Sequence, residues 1–166
     1  MRWDRLFAEL EAQADDEALI EREALVDELE AGEWADTSWR DLVAGDVVLG
    51  VRGAGPVQGR VALATPTLVR LEDGTAEVVV ATSAVCTVRT SGGRASDPGP
   101  VAGRLGWGRV FRALADEMDA VALTLIDGQR LDGTIGHVAA DAVEVVLTPE
   151  RRLWVPWSAL ATVRSR

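Results

Sequence analysis

The chain repeats one pattern of apolar and turn residues in its two halves, and this repeat limits the possible folds more than any other feature. Three pairs of matching segments lie 74 residues apart and a fourth lies 75 apart: 47–51 with 121–125, 57–61 with 131–135, 68–71 with 142–145, and 85–89 with 160–164. A repeat of fixed period indicates that each copy is one supersecondary unit. A unit of about 45 residues buries little core by itself, so we expect the two copies to support each other or to pack on flanking helices.

Each copy carries the pattern of five short strands. Copy one predicts strands near 46–51, 57–63, 67–72, 76–81 and 85–89, and copy two predicts strands near 120–126, 130–138, 142–148, 152–156 and 160–164. Turn residues separate the strands, and the pair Asp127-Gly128 is the clearest hairpin signal. Five strands with a one-turn break before the last strand predict a small closed barrel of SH3-like or Sm-like type in each half.

Helical patterns lie outside the strands. Residues 1–36 are predicted to form one long helix or a hairpin of two helices. The spacing of Trp3, Leu6 and Phe7 places them on one helical face. Short helices are expected at 37–42 and at 107–118, one before each copy. The fold class is therefore mainly β with some α. The predicted organisation is an acidic helical segment at 1–36, a first barrel at 37–90, a Gly/Pro-rich linker at 91–106 and a second barrel at 107–166.

The net charge of −10 resides in the helical segment. Residues 1–36 hold 13 acids and three arginines, whereas the rest of the chain holds 14 acids and 14 arginines. An acidic segment repels nucleic acid and anionic membranes at long range. The rest of the chain has no net charge, but its arginines can still form a local cluster.

Cysteine use and hydropathy suggest a cytoplasmic protein. Cys86 is the only cysteine, which excludes an intrachain disulfide. No apolar run approaches the roughly 18 residues of a membrane span, and the N-terminus has no signal-peptide pattern. Because Cys86 aligns with Ala161, we expect it to be a small buried core residue.

The sequence offers no catalytic or metal-binding signature. His137 is the only histidine, with Asp141 as the acid that could reach it, and it is expected to be a partly buried strand residue. A lone histidine without a cysteine cluster lacks metal-ligand spacing. No serine lies in a nucleophile elbow. We therefore predict that the protein is not an enzyme and needs neither metal nor cofactor.

Aromatic and basic residues near the end of copy two suggest a contact surface. Trp154 and Trp157 bracket Pro156, and tryptophan is enriched at interface hot spots. The candidate contact residues are Trp154, Trp157, His137, Arg130, Arg151 and Arg152. The alternative is that the tryptophans pack in the core or between helix and sheet.

Residues 121–147 resemble the first motif of the Sm-like (LSm) proteins. The matching points are the Asp127-Gly128 turn, Gly133 in a bent second strand, and Asp141 before an apolar strand. The resemblance implies an Sm-like fold and suggests RNA binding. Where that family places an asparagine in its RNA pocket, this chain has Glu144, and copy one has Arg70. A carboxylate repels a phosphate chain, so the resemblance supports the fold more than the activity.

The whole layout also resembles an uncharacterised family from high-GC Gram-positive bacteria. Its members begin with a Met-Arg-Trp-(Asp/Glu)-Arg-Leu-Phe-like helix and end in Ala-Leu-x-x-Val-Arg, and some carry the label Fis family transcriptional regulator. This chain has no helix-turn-helix pattern, and its acidic leading helices are unsuited to entering a DNA groove.

These observations predict a non-enzymatic interaction protein. Its expected partner is another protein, or a second copy of itself, bound through exposed edge strands or a tryptophan-bearing surface. The alternative is an RNA-binding regulator of Sm-like type. That function requires the arginines to lie on one face, namely Arg60, Arg70, Arg130, Arg151, Arg152 and Arg164.

Overall fold

The computed structural model describes residues 22, 32, 34–74, 76–93, 99–102 and 104–165. The chain forms two compact units, Met1–Ser38 and Trp39–Arg166. In the first unit the described residues 22, 32 and 34–36 are helical. The remainder of the predicted N-terminal helices lies outside the described residues.

Ten strands form the second unit, at nearly the bounds that the sequence predicts. The strands of copy one are β1 (Asp46–Val51), β2 (Gly55–Ala64), β3 (Leu68–Asp73), β4 (Ala76–Ala81) and β5 (Val85–Thr90). Those of copy two are β6 (Ala120–Leu125), β7 (Arg130–Val138), β8 (Ala142–Thr148), β9 (Arg151–Pro156) and β10 (Leu160–Ser165). The protein is therefore mainly β, as predicted.

Short helices separate and flank the strands. A 3-10 turn at Trp39–Leu42 precedes β1, and matching 3-10 turns at Thr82–Ala84 and Trp157–Ala159 precede the last strand of each copy. The predicted helix before copy two is α2 (Trp107–Glu117). A single helical turn, α1 (Gly99–Ala102), lies within the stretch predicted to be a linker. None of the described helices is both long and apolar enough to cross a membrane.

All ten strands belong to one open antiparallel sheet in the order β5-β1-β2-β3-β4-β10-β6-β7-β8-β9. The order within copy one, β5-β1-β2-β3-β4, recurs in copy two as β10-β6-β7-β8-β9. The sequence repeat is thus a repeat of strand order.

The predicted closure of each half into a barrel is not found. Closure would bring the fourth strand of a copy beside the fifth strand of the same copy. Instead β4 pairs with β10, the last strand of the other copy, through Val80 opposite Thr162 and Val79 opposite Val163. The edge that would close copy one is occupied by copy two, so the sheet continues rather than closing.

Two glycines at matching positions allow the second and third strands of each copy to approach closely. A Cβ on Gly59 would lie 2.9 Å from the carbonyl oxygen of Glu72, and one on Gly133 would collide with the carbonyl of Val146. The second strand of each copy also shifts register, between Val61 and Leu63 in β2. This close crossing explains why glycine occurs at the same point of both copies.

One hydrophobic core joins the two halves. Its fully buried side chains come from both copies and from α2, among them Leu49, Leu71, Phe111, Leu123 and Leu160. The turns of the two copies also meet, because a Cβ on Gly53 would overlap the backbone of Leu125 and Ile126. The halves therefore pack as one body, which agrees with the expectation that they support each other.

Candidate contact surface

Four side chains of copy two assemble on the face of β7, β8 and β9. The Nδ1 atom of His137 lies 2.7 Å from Oε2 of Glu144, and Nη1 of Arg152 lies 3.6 Å from Oε1 of the same carboxylate. Trp154 stands directly opposite Glu144 in the β8–β9 ladder. Directly opposite residues share one face of a sheet. We call His137, Glu144, Arg152 and Trp154 the His137–Trp154 face.

Glu144 is the centre of this face. It is buried, with 7% of its surface exposed, and its carboxylate also accepts the backbone N–H of His137 at 3.2 Å. The hydrogen bonds from the His137 ring and backbone, together with the nearby Arg152 guanidinium, hold the pKa of Glu144 below its usual value, although burial opposes this shift. The carboxylate is thus ionised near neutral pH and ties β7 to β9.

A glycine makes room for this carboxylate. A Cβ on Gly136 would overlap Oε2 of Glu144. Gly136 lies where the β7–β8 register shifts, between Ile135 and Val138. The irregular strand and the missing side chain together let the Glu144 carboxylate lie against the backbone of β7 and reach His137.

The outer groups of the face reach solvent. The His137 side chain is 80% exposed and Trp154 is 55% exposed. The prediction that His137 is partly buried is therefore wrong, and its partner is Glu144 rather than Asp141. The bend in β7 turns His137 out of the sheet interior, and strand alternation alone does not reveal that bend.

The structure separates the other candidate contact residues from this face. Arg130 pairs with Asp132 at 3.7 Å within β7, and Arg151 is exposed at the start of β9. Trp157 stacks on Phe111 with ring centroids 5.4 Å apart and donates its indole N–H to Ala140 O at 3.0 Å. Trp157 is thus part of the packing between helix and sheet, which is the alternative considered for the tryptophans.

Cys86 is exposed, contrary to expectation. Its counterpart Ala161 is fully buried. The difference arises because Ala161 belongs to β10 in the middle of the sheet, whereas Cys86 belongs to β5 at the sheet edge.

The equivalent face of copy one is arranged differently. His137, Glu144, Arg152 and Trp154 correspond to Leu63, Arg70, Glu77 and Val79. These four residues line a groove of about 400 Å³ whose other wall is formed by α2, including Arg109 and Leu114. The face in copy one therefore lies beneath a helix, whereas His137 and Trp154 in copy two are open to solvent.

Most of the arginines named for RNA binding lie beside an acid. Arg60 lies 3.6 Å from Asp46 and Arg70 lies 3.3 Å from Glu72, in addition to the Arg130 and Arg152 pairs already described. Such pairs reduce the positive field that attracts a phosphate chain. Arg151 and Arg164 complete the set of six.

Glu144 was not among the predicted contact residues, although the sequence contains a signal for it. A glutamate in the middle of an otherwise apolar strand predicts a buried charge, and a buried charge requires a partner. Within the described ranges, no group of three or more His, Cys, Asp or Glu side chains is placed to hold a metal ion.

No family model matches the chain, and no curated protein matches it.

Proposed function

We propose that the chain is a non-enzymatic protein-interaction module, in which two Sm-like halves joined edge to edge bind protein partners at the sheet edges that remain free. One observation carries this proposal. In the described part of the chain, β9 pairs on one side only, with β8, and it carries the exposed side chain of Trp154. An unpaired edge offers backbone N–H and C=O groups to another chain. The cytoplasmic location of the protein remains a prediction from its sequence.

The His137–Trp154 face supports this proposal through its composition. A tryptophan provides a large, rigid and amphipathic contact area, which makes it a common hot-spot residue in protein interfaces. Glu144 holds His137 and Arg152 in place beside it. A partner strand added to β9 would therefore gain backbone hydrogen bonds from the edge and side-chain contacts from the face.

Binding of RNA is the second candidate, and the same face is the observation that favours it. Bases stack on exposed aromatic side chains beside cationic groups. The buried carboxylate of Glu144 and the arginine–acid pairs elsewhere favour a protein partner over a phosphate chain. The two candidates differ in their response to salt and nuclease.

Affinity purification with matched tryptophan variants tests the proposal. The tagged full chain, its Trp154→Ala variant and its Trp34→Ala variant are used to capture partners from nuclease-treated lysate of the source cells, followed by mass spectrometry. Trp34 is the control because it is also exposed, at 66%, but lies outside the sheet. We expect defined protein partners that the Trp34 variant retains and the Trp154 variant loses, with at least a roughly 10-fold weaker affinity for a purified partner.

Two other outcomes would count against the proposal or against the β9 edge as the binding site. Recovery of nucleic acid alone, together with RNA binding by the purified chain that falls steeply with salt, would overturn the proposal in favour of the second candidate. Partners retained equally by both variants would exclude the β9 edge as their site.

A further inference from the structure

We propose that the groove between α2 and the sheet of copy one binds a short apolar peptide with free termini, about three residues long. The groove has a volume of about 400 Å³ and lies within the unit Trp39–Arg166. This volume is at the lower end of the range of small-molecule sites in proteins. The proposal concerns a second site, separate from the β9 edge and the His137–Trp154 face.

One wall of the groove is a row of directly opposite residues on the sheet. The row crosses β2, β3, β4 and β10 at Leu63, Arg70, Val79 and Val163. Directly opposite residues share one face of a sheet, so their side chains form a continuous strip. The facing side of α2 contributes three more apolar residues, Val110, Ala113 and Leu114. The middle of the groove is therefore apolar apart from Arg70.

The direction of α2 defines the two ends of the groove. The Oγ1 atoms of Thr65 and Thr67 lie 3.2 and 3.4 Å from the carbonyl oxygen of Leu105, which places the residues just before the helix beside the turn between β2 and β3. At the other end the chain leaves α2 and enters β6, where Val121 lies opposite Ser165 of β10. The helix therefore runs along the groove from the β2–β3 turn toward the end of β10.

Charges of opposite sign lie toward these two ends. Arg109 is in the first turn of α2 and Glu117 is its last residue, so their Cα atoms are about 12 Å apart along the helix. On the sheet side, Glu77 lies about 7 Å beyond the row that holds Arg70, in the direction of the helix C-terminus. All four residues line the groove. The groove thus has a cationic part, with Arg70 and Arg109, and an anionic part, with Glu77 and Glu117.

These four charges are not paired with one another. Within the described part of the chain, Glu77, Arg109 and Glu117 form no ion pair. Arg70 pairs at 3.3 Å with Glu72, which does not line the groove, and the two side chains are 43% and 44% exposed. Such an exposed pair contributes little stability, so the guanidinium can turn toward a ligand.

Arg70 also has an unused donor. Its Nε atom is buried and has no hydrogen-bond partner among the described residues. A buried N–H without an acceptor is costly, and a ligand carboxylate at the cationic part of the groove would supply one. The counterpart of Arg70 in copy two is Glu144, whose oxygens are already met by His137 and Arg152. The unpaired groove is thus a feature of copy one.

The ligand is inferred from this pattern of charge and apolar surface. Two arginines and two glutamates give the lining no net charge, which favours a zwitterion over a simple anion or cation. The apolar middle requires apolar side chains between the charged ends. An extended peptide spans about 3.3–3.6 Å per residue, so three residues span about 10 Å and match the separation of the charges. The peptide carboxylate would lie at Arg70 and Arg109, and its ammonium group at Glu77 and Glu117.

Calorimetric titration of the full chain with the peptide trivaline tests the proposal. Four forms of the peptide are compared: with free termini, acetylated at the N-terminus, amidated at the C-terminus, and blocked at both ends. We expect saturable binding of one free trivaline per chain. Each block should weaken binding by about 5-fold or more, because each removes a charge that the groove meets.

Variants of α2 assign the two ends of the peptide. Arg109→Gln should reduce the effect of amidation and leave that of acetylation, whereas Glu117→Gln should do the reverse. Arg112→Gln is the control, because Arg112 is exposed on the same helix but does not line the groove. Ala113→Trp should fill the groove and abolish binding, with urea unfolding to verify that the variant is folded. Trp154→Ala should bind trivaline like the unmodified chain.

Three results would overturn the proposal: no saturable binding of trivaline at millimolar concentration, equal binding of the free and doubly blocked peptides, or binding that Ala113→Trp leaves unchanged in a folded protein. Tighter binding of octanoate than of trivaline would also overturn it, in favour of a singly charged ligand. None of these results bears on the β9 edge, whose test is the loss of protein partners with Trp154→Ala.

Discussion

At the scale of single residues, one carboxylate organises the exposed face of copy two. Glu144 lies in an apolar strand. Its burial is tolerated because its carboxylate is hydrogen-bonded to the ring and backbone of His137 and ion-paired with Arg152. Gly136 provides the space for this arrangement. The face is therefore held in place by a charge, and it should respond to pH.

The first prediction concerns that response. The pKa of Glu144 is lower in the folded protein than its usual value of 4.5, so the pairing stabilises the fold above about pH 4.5 and is lost as pH falls through the folded pKa. Urea unfolding at pH 7 and pH 3 should show that Glu144→Gln loses less stability on acidification than the unmodified protein. Glu150→Gln, at an exposed site, is the control and should behave like the unmodified protein. Equal acid sensitivity of Glu144→Gln and the unmodified protein would contradict the role of Glu144.

The second prediction concerns the contact between the turns of the two copies. Gly53 has a φ of +78°, and a Cβ there would overlap the backbone of Leu125 and Ile126. Gly55 in the same turn has a φ of +73° with open space around it. Gly53→Ala should destabilise the protein by about 2–4 kcal/mol, and Gly55→Ala by about 1–2 kcal/mol, measured by urea unfolding. Equal losses would show that the two turns do not pack together.

At the scale of elements, α2 fixes copy two through a stack of three aromatic rings. Phe111 is fully buried, with ring centroids 5.6 Å from Trp107 and 5.4 Å from Trp157. The other side of α2 faces copy one across the groove. The helix therefore lies between copy two and the groove of copy one, and its loss should affect both halves.

The third prediction follows from that stack. Phe111→Ala should cost about 3–5 kcal/mol of unfolding free energy, because it removes a buried ring and leaves a cavity. Arg112→Ala on the exposed side of the same helix should change stability by less than about 0.5 kcal/mol. Chemical denaturation of the two variants provides the comparison, and a loss under about 1 kcal/mol for Phe111→Ala would show that the stack is not needed to hold α2.

The sequence predicts the positions of the strands well, but it does not predict which strands pair with each other. Alternating apolar residues and the turn at Asp127-Gly128 locate the strands, because these signals are local. The partner of β4 is not a local property, since strand alternation tells which face is buried and not which strand lies beside it. Closure of the halves and burial of Cys86 were both predicted wrongly for this one reason. The sequence identifies three residues of the candidate face, His137, Arg152 and Trp154. It does not identify Glu144, which joins them.

At the scale of the whole molecule, one kind of edge contact accounts for the architecture. The contact joins the fourth strand of one copy to the fifth strand of the other, and it leaves β5 and β9 at the two ends of the sheet. The protein–protein interaction that we propose uses these ends of the sheet. The central claim is that β4 and β10 form an interior junction, while β5 and β9 each pair on one side only within the part of the chain that the structure describes.

Amide hydrogen exchange of the full chain, followed by mass spectrometry at low concentration, tests this claim most directly. The repeat supplies its own comparison, because each edge strand has a counterpart in the junction. The amides of β4 and β10 should exchange slowly, whereas those of β5 and β9 that point away from the sheet, including Val88 and Trp154, should exchange much faster. Equally fast exchange of β4 and β10 would contradict the account, because it would show that the two halves are not joined edge to edge.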